Sequence, residues 1–207
     1  MKKTIWIPLI LGVFFGLLDF AIWAVDFAIP LGPWGASGPQ EVFIIMSAAL
    51  GGPLGLFVTC LFYVLGDFAF SVVTLFSPEQ LSSMGVLYSI ANFSAHILAA
   101  LPAAYCYKFF HQRVKKVYVF FGSWILILVF YYFLLVTLQF FLVGLVVDMP
   151  PLFALYRYFL PELMVTGVVT TLIWIALPMR FNRPQWIEPE PVPQPIKEGI
   201  EHKETQI

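Results

Sequence analysis

Five long apolar runs, separated by short breaks rich in Gly, Pro or charge, dominate the chain. Four of them, Thr4–Val25, Gly85–Phe110, Val117–Val147 and Tyr158–Met179, each supply the roughly 20 apolar residues that a helix needs to cross a hydrocarbon core of about 30 Å. The remaining run, Val42 to Phe76, is 35 residues long with Asp67 as its only charge. As one helix it would extend about 52 Å, too far for tilt to absorb, so it must turn. Gly51-Gly52-Pro53 supplies the place: two glycines weaken the helix, and the proline removes a donor and clashes with the preceding turn. The pattern therefore predicts six helices, the second (about Pro39–Leu50) short. That helix spans the bilayer only if tilted or continued by Gly32–Gly38, and the alternative is a re-entrant hairpin made with part of the third.

Basic residues test the count, because Lys and Arg in short loops stay cytoplasmic. No Lys or Arg occurs from Thr4 through Tyr107. With a turn at Gly51–Pro53, the Lys2-Lys3 pair, the Lys108–Lys116 loop and Arg180/Arg183 all fall on one side, which gives an N-in, C-in protein. With five helices they do not. The fold class is thus all-α and polytopic, with residues 1–183 forming a transmembrane domain. Residues 184–207, with five prolines and interspersed Glu and Lys, form a disordered cytoplasmic tail. The Lys2-Lys3 start followed by an apolar run has the look of a signal peptide, but no small-x-small cleavage site precedes Asp26, so it reads as a retained first helix.

Composition agrees with that picture: 60% hydrophobic and 11% charged residues exclude an ordinary soluble domain and place the protein in a lipid bilayer, as a multi-pass protein of a prokaryotic plasma membrane. A formal net charge of -1 without a basic face excludes nucleic acid as a partner. Cys60 and Cys106 both lie in apolar runs, with no disulfide framework and no zinc spacing.

Polar side chains are costly in a membrane, so their depth is informative. In the six-helix arrangement Asp19, Glu41, Asp67, Asn92, His96, Gln139 and Glu162 all fall in the outer half, and the inner half has almost nothing comparable. A pocket open to the outside follows, built from Asp19, Trp34, Asp67, Asn92, His96, Gln139, Arg157 and Glu162. It would be roofed by the Ile29–Gln40 and Asp148–Tyr158 loops. Simpler roles stand beside this one. Asp67 and Glu41 read equally as interfacial caps, Asn92 and Gln139 as an interhelical pair, His96 as a donor to a backbone carbonyl, and Arg157 as one half of an internal ion pair. Gly12 and Gly16 make a small-xxx-small step on a bulky first helix, which suits internal packing or a groove for a partner helix. No nucleophile–base set, Walker loop or dinucleotide motif is present, so the chain is expected to be neither an enzyme nor a holder of a metal or cofactor.

Ile29-Pro30-Leu31-Gly32-Pro33, Gly51-Gly52-Pro53-Leu54-Gly55 and Gly66-Asp67 resemble the first loop and the G-P-x-x-G…G-D segment of the substrate-binding S components of energy-coupling-factor (ECF) transporters. The likeness covers about Thr4–Arg180, with Gly51–Asp67 its most motif-like part. It implies a six-helix protein that captures a vitamin or similar micronutrient from outside and works with a membrane scaffold protein and two cytoplasmic ATPases. It also implies that small residues of the first helix dock the scaffold, here Gly12 and Gly16, which stand where A-x-x-x-A is typical. The Gly-Gly-Pro turn, together with Leu160-Pro161, also resembles the membrane module of LytS-type sensor kinases. That resemblance implies a sensing or interaction protein, although such kinases continue into signalling domains where this sequence has a short acidic tail.

Overall fold

The computed structural model describes residues 3–27, 29–30, 36–37, 39–113 and 117–177. Its main elements are α1 (Lys3–Ala24), α2 (Gln40–Asp67), α3 (Val73–Leu75), α4 (Pro78–Gln80), α5 (Val86–Arg113), α6 (Val117–Leu142) and α7 (Leu152–Ala176). A two-residue antiparallel pair, Ile29–Pro30 with Ala36–Ser37, lies between α1 and α2. Five helical stretches are long and apolar enough to cross a membrane: Ile5–Ala24, Gln40–Leu75, Pro78–Arg113, Val119–Leu145 and Leu152–Ala176. This is an all-helical, multi-pass architecture, and helix is the form an apolar chain takes in lipid because it satisfies its own backbone. Large apolar side chains such as Phe14, Leu17, Leu126, Phe133, Val168 and Leu172 cover its exterior.

The decisive feature is inside α2. At Gly52 the backbone adopts φ 62°, ψ -155°, a conformation essentially restricted to glycine, and Pro53 follows. Here the chain reverses. In a continuous helix Ser47 and Thr59 would lie about 18 Å apart, yet their hydroxyls meet at 2.7 Å. Glu41 and Asp67 would lie about 39 Å apart, yet both line one cavity. The Gly51–Pro53 turn expected from sequence is therefore a helical hairpin. Its first arm, residues 40–51, is about 18 Å of helix, well short of a hydrocarbon core.

α1 runs parallel to the returning arm, and glycines set the separation. A methyl group on Gly12 would come within 2.7 Å of the Gly55 carbonyl oxygen and 2.8 Å of Val58 Cβ, and one on Gly16 within 2.5 Å of the Phe62 ring. Thr59 fastens the contact by donating to the Gly12 carbonyl at 3.1 Å. The partner-docking role assigned to Gly12 and Gly16 is thus corrected: both are buried against the protein's own hairpin. The open face of α1 is its opposite side, with Ile10, Phe14 and Leu17.

The remaining helices pack in chain order, α2 on α5, α5 on α6 and α6 on α7, with α2 also touching α7. Two π-helical turns, Phe68–Val72 and Leu81–Gly85, flank the tip joining α2 to α5, where Ser77 and Gln80 form a capping box. At the far end of the bundle Tyr107 stacks on Trp174 with ring centroids 5.2 Å apart, and Trp124 meets both edge-on. Trp124 also donates to Thr170 at 3.0 Å. One boundary differs from expectation: α7 starts at Leu152 directly after Pro151, rather than at Tyr158. Proline suits a helix start because the first N–H groups have no partner there. The loop from Asp148 is correspondingly shorter. Lys2, residues 114–116 and the tail fall outside the described residues.

Candidate functional site

Opposite the Trp–Tyr cluster, α1, the α2 hairpin, α5, α6 and α7 converge on a cavity of about 330 Å³. Asp67, Asn92, Gln139 and Glu162, four of the residues expected from sequence, line it. They come from four segments: the returning arm of α2, α5, α6 and α7. Asn92 ties three of these segments together. Its amide nitrogen donates to Asp67 Oδ2 at 2.9 Å and lies 3.4 Å from the Tyr63 hydroxyl, while its carbonyl oxygen accepts from Gln139 Nε2 at 3.1 Å.

Beneath Asn92 lies a second layer. His96 is wholly buried one turn further along α5. Its Nδ1 donates to the Asn92 main-chain carbonyl at 2.7 Å, because a carbonyl only accepts. Its Nε2 meets Glu41 Oε1 at 2.9 Å. The second oxygen of Glu41 accepts a short hydrogen bond from the Tyr131 hydroxyl of α6. Glu41 is therefore a hub joining the first arm of α2 to α5 and α6. Since Nδ1 already carries a proton, one further proton lies on the Nε2–Oε1 line, on either the imidazole or the carboxyl. The layer is closed by the Tyr63 ring, 4.4 Å from that of His96.

The other expected residues fall elsewhere. Asp19 does not line the cavity: it is fully buried on α1, and neither of its carboxyl oxygens finds a hydrogen-bond partner among the described residues. Arg157, also expected in the pocket, is exposed and is not among the residues that line this cavity. Five positions separate it from Glu162, about 140° around an ideal helix, so the two residues leave the helix on different sides. Trp34 lies outside the described residues.

Several lining residues were not in the expected set. Glu41 reads from sequence as an outer polar residue outside the pocket, and Trp23, Tyr63 and Tyr88 do not stand out among the many aromatics. An amphipathic tyrosine in an apolar run looks like ordinary core, and only the neighbours reveal its hydroxyl's partner. The Trp23 Nε1 and Gln139 Oε1 atoms are buried without a hydrogen bond among the described residues.

Chemically, the site offers carboxyl groups, amides and aromatic rings around a small volume. No three His, Cys, Asp or Glu side chains among the described residues are placed to hold a metal ion. Comparison of the chain with protein-family models, curated proteins and solved structures finds no match.

Proposed function

We propose that the protein is a membrane-embedded binding subunit that takes a small, vitamin-like molecule from the outer side for uptake. The observation that carries this reading is the cavity at one end of the bundle, where polar groups from five segments converge, two of them buried and unbonded. Structural hydrogen-bonding alone would favour closed pairs, because an unsatisfied polar atom at membrane depth costs free energy. Ligand sites have this character: concave, apolar-walled, with a few convergent polar groups.

The orientation proposed is N-in and C-in with six membrane-inserted helical segments, the short first arm of α2 being the second. Lys3 and the Lys108–Arg113 end of α5 lie at the end of the bundle away from the cavity, so the positive-inside rule puts the cavity outside. The resemblance to ECF S components supports a role beside a membrane scaffold and ATPases, which would supply the energy this chain's motifs do not. Scaffold docking then belongs to the exposed apolar side of α1 rather than to Gly12 and Gly16.

The test is solvent extraction of the purified protein, followed by mass spectrometry. The expected result is a single small molecule in near-equal amount with the protein, at least tenfold depleted from an Asn92→Ala variant. Equal small-molecule content in the two preparations would overturn the reading.

A further inference from the structure

The ionisable side chains of the cavity are one-sided. Glu41, Asp67 and Glu162 line it, and among the described residues no Lys or Arg does. Behind this wall stands Asp19, one helical turn before the lining residue Trp23. Its carboxyl group is wholly buried and unbonded among the described residues. Against these four acidic groups stands one imidazole, His96, whose outer nitrogen is already committed to Glu41. A low-dielectric site with this imbalance is stabilised by an added positive charge and repels an added negative one.

The apolar part of the wall is aromatic. Trp23 and Tyr63 meet edge-to-face with centroids 5.9 Å apart, and Tyr88 and Phe159 also line the space. Aromatic faces attract both planar rings and cations. A volume of about 330 Å³ is near the lower end for ligand pockets, which limits the occupant to a small molecule. A wall of aromatic rings beside the carboxyl groups suits an organic cation, whose ring and charge both find partners there.

We infer that the cavity selects a small organic cation bearing an aromatic ring, with Glu162 and Asp67 facing the charge and the Trp23–Tyr63 corner holding the ring. The inference rests on the reading of the cavity as a ligand site, and names the class of ligand. The Gln139 amide remains to bond a polar ring substituent, since its oxygen is unbonded among the described residues and accepts from an amino group.

The experiment compares three probes with one ring and three charges: tryptamine (cation), 3-methylindole (neutral) and indole-3-acetate (anion). Each is measured at pH 7 by equilibrium dialysis against the detergent-purified full chain, with bound probe quantified by mass spectrometry. The expected result is tryptamine bound at least tenfold more tightly than the other two. Glu162→Gln, at a residue whose side chain makes no interhelical hydrogen bond among the described residues, should weaken tryptamine about tenfold at unchanged melting temperature. Asp67→Asn should weaken it similarly. Binding of the neutral or anionic probe as tight as that of tryptamine would overturn charge selection while leaving the cavity a binding site. Failure of all three probes would overturn the inference, and the extraction experiment then judges the binding reading independently.

Discussion

Removing the Glu41 carboxylate should expose how much the bundle depends on its buried hub. In Glu41→Ala the Tyr131 hydroxyl and His96 Nε2, both on residues with 0% exposure, lose their shared hydrogen-bond partner. An orphaned buried polar group costs about 1–3 kcal/mol, so two together give about 2–6 kcal/mol, with water entering from the cavity drawing the value toward the lower end. Tyr131→Phe alone removes one donor and should cost about 1–2 kcal/mol. In the Glu41→Ala background the same change deletes an orphan hydroxyl instead of a bond, and should cost nothing or stabilise. The double-mutant cycle therefore predicts a coupling of about 1–3 kcal/mol, against an average of about 0.6 kcal/mol for side-chain hydrogen bonds between membrane helices. Unfolding by SDS titration in mixed micelles gives all four free energies. The hub would be refuted if Tyr131→Phe cost the same, within about 0.3 kcal/mol, in both backgrounds.

Further outcomes follow from the hairpin and the orientation. Gly52→Ala forces a side chain into a glycine-only backbone conformation and should lose about 1–3 kcal/mol in the same titration, whereas Gly122→Ala, with open space around its Cα, should change little. Gly12→Leu collides with the Gly55 backbone and should cost at least about 2 kcal/mol, whereas Phe14→Ala on the exposed side should fall within about 1 kcal/mol; equal effects would return Gly12 to a lipid- or partner-facing role. In a background lacking Cys60 and Cys106, Ser77→Cys should react with an impermeant maleimide in intact cells and Gln112→Cys only after permeabilisation. Reaction of both under the same condition would contradict the N-in, six-segment orientation.

The helices were legible because lipid demands about 20 apolar residues per crossing, and the turn was legible because Gly51-Gly52-Pro53 interrupts a run too long for one helix. The glycine face of α1 was not. A small-xxx-small step marks close approach without saying to which neighbour, and the neighbour here proved to be Gly55 in the same chain. Within the site, Asp67, Asn92, Gln139 and Glu162 stood out because polar residues in apolar runs are expensive. Glu41 was passed over because a carboxylate at a helix start reads as a cap. Its depth depends on the short arm of the hairpin, which brings residue 41 level with Tyr63 and His96. Arg157 differs in the other direction: it stands close to Glu162 in sequence, yet five positions turn it about 140° away around an ideal helix.

The outward-facing binding cavity is tested most directly at Ser71, which lines it. In the cysteine-free background, Ser71→Cys should be labelled by an impermeant maleimide in intact cells, and the small molecule released from the purified protein should slow that labelling at least tenfold. Labelling only after permeabilisation, or at a rate the released molecule leaves unchanged, would contradict the claim.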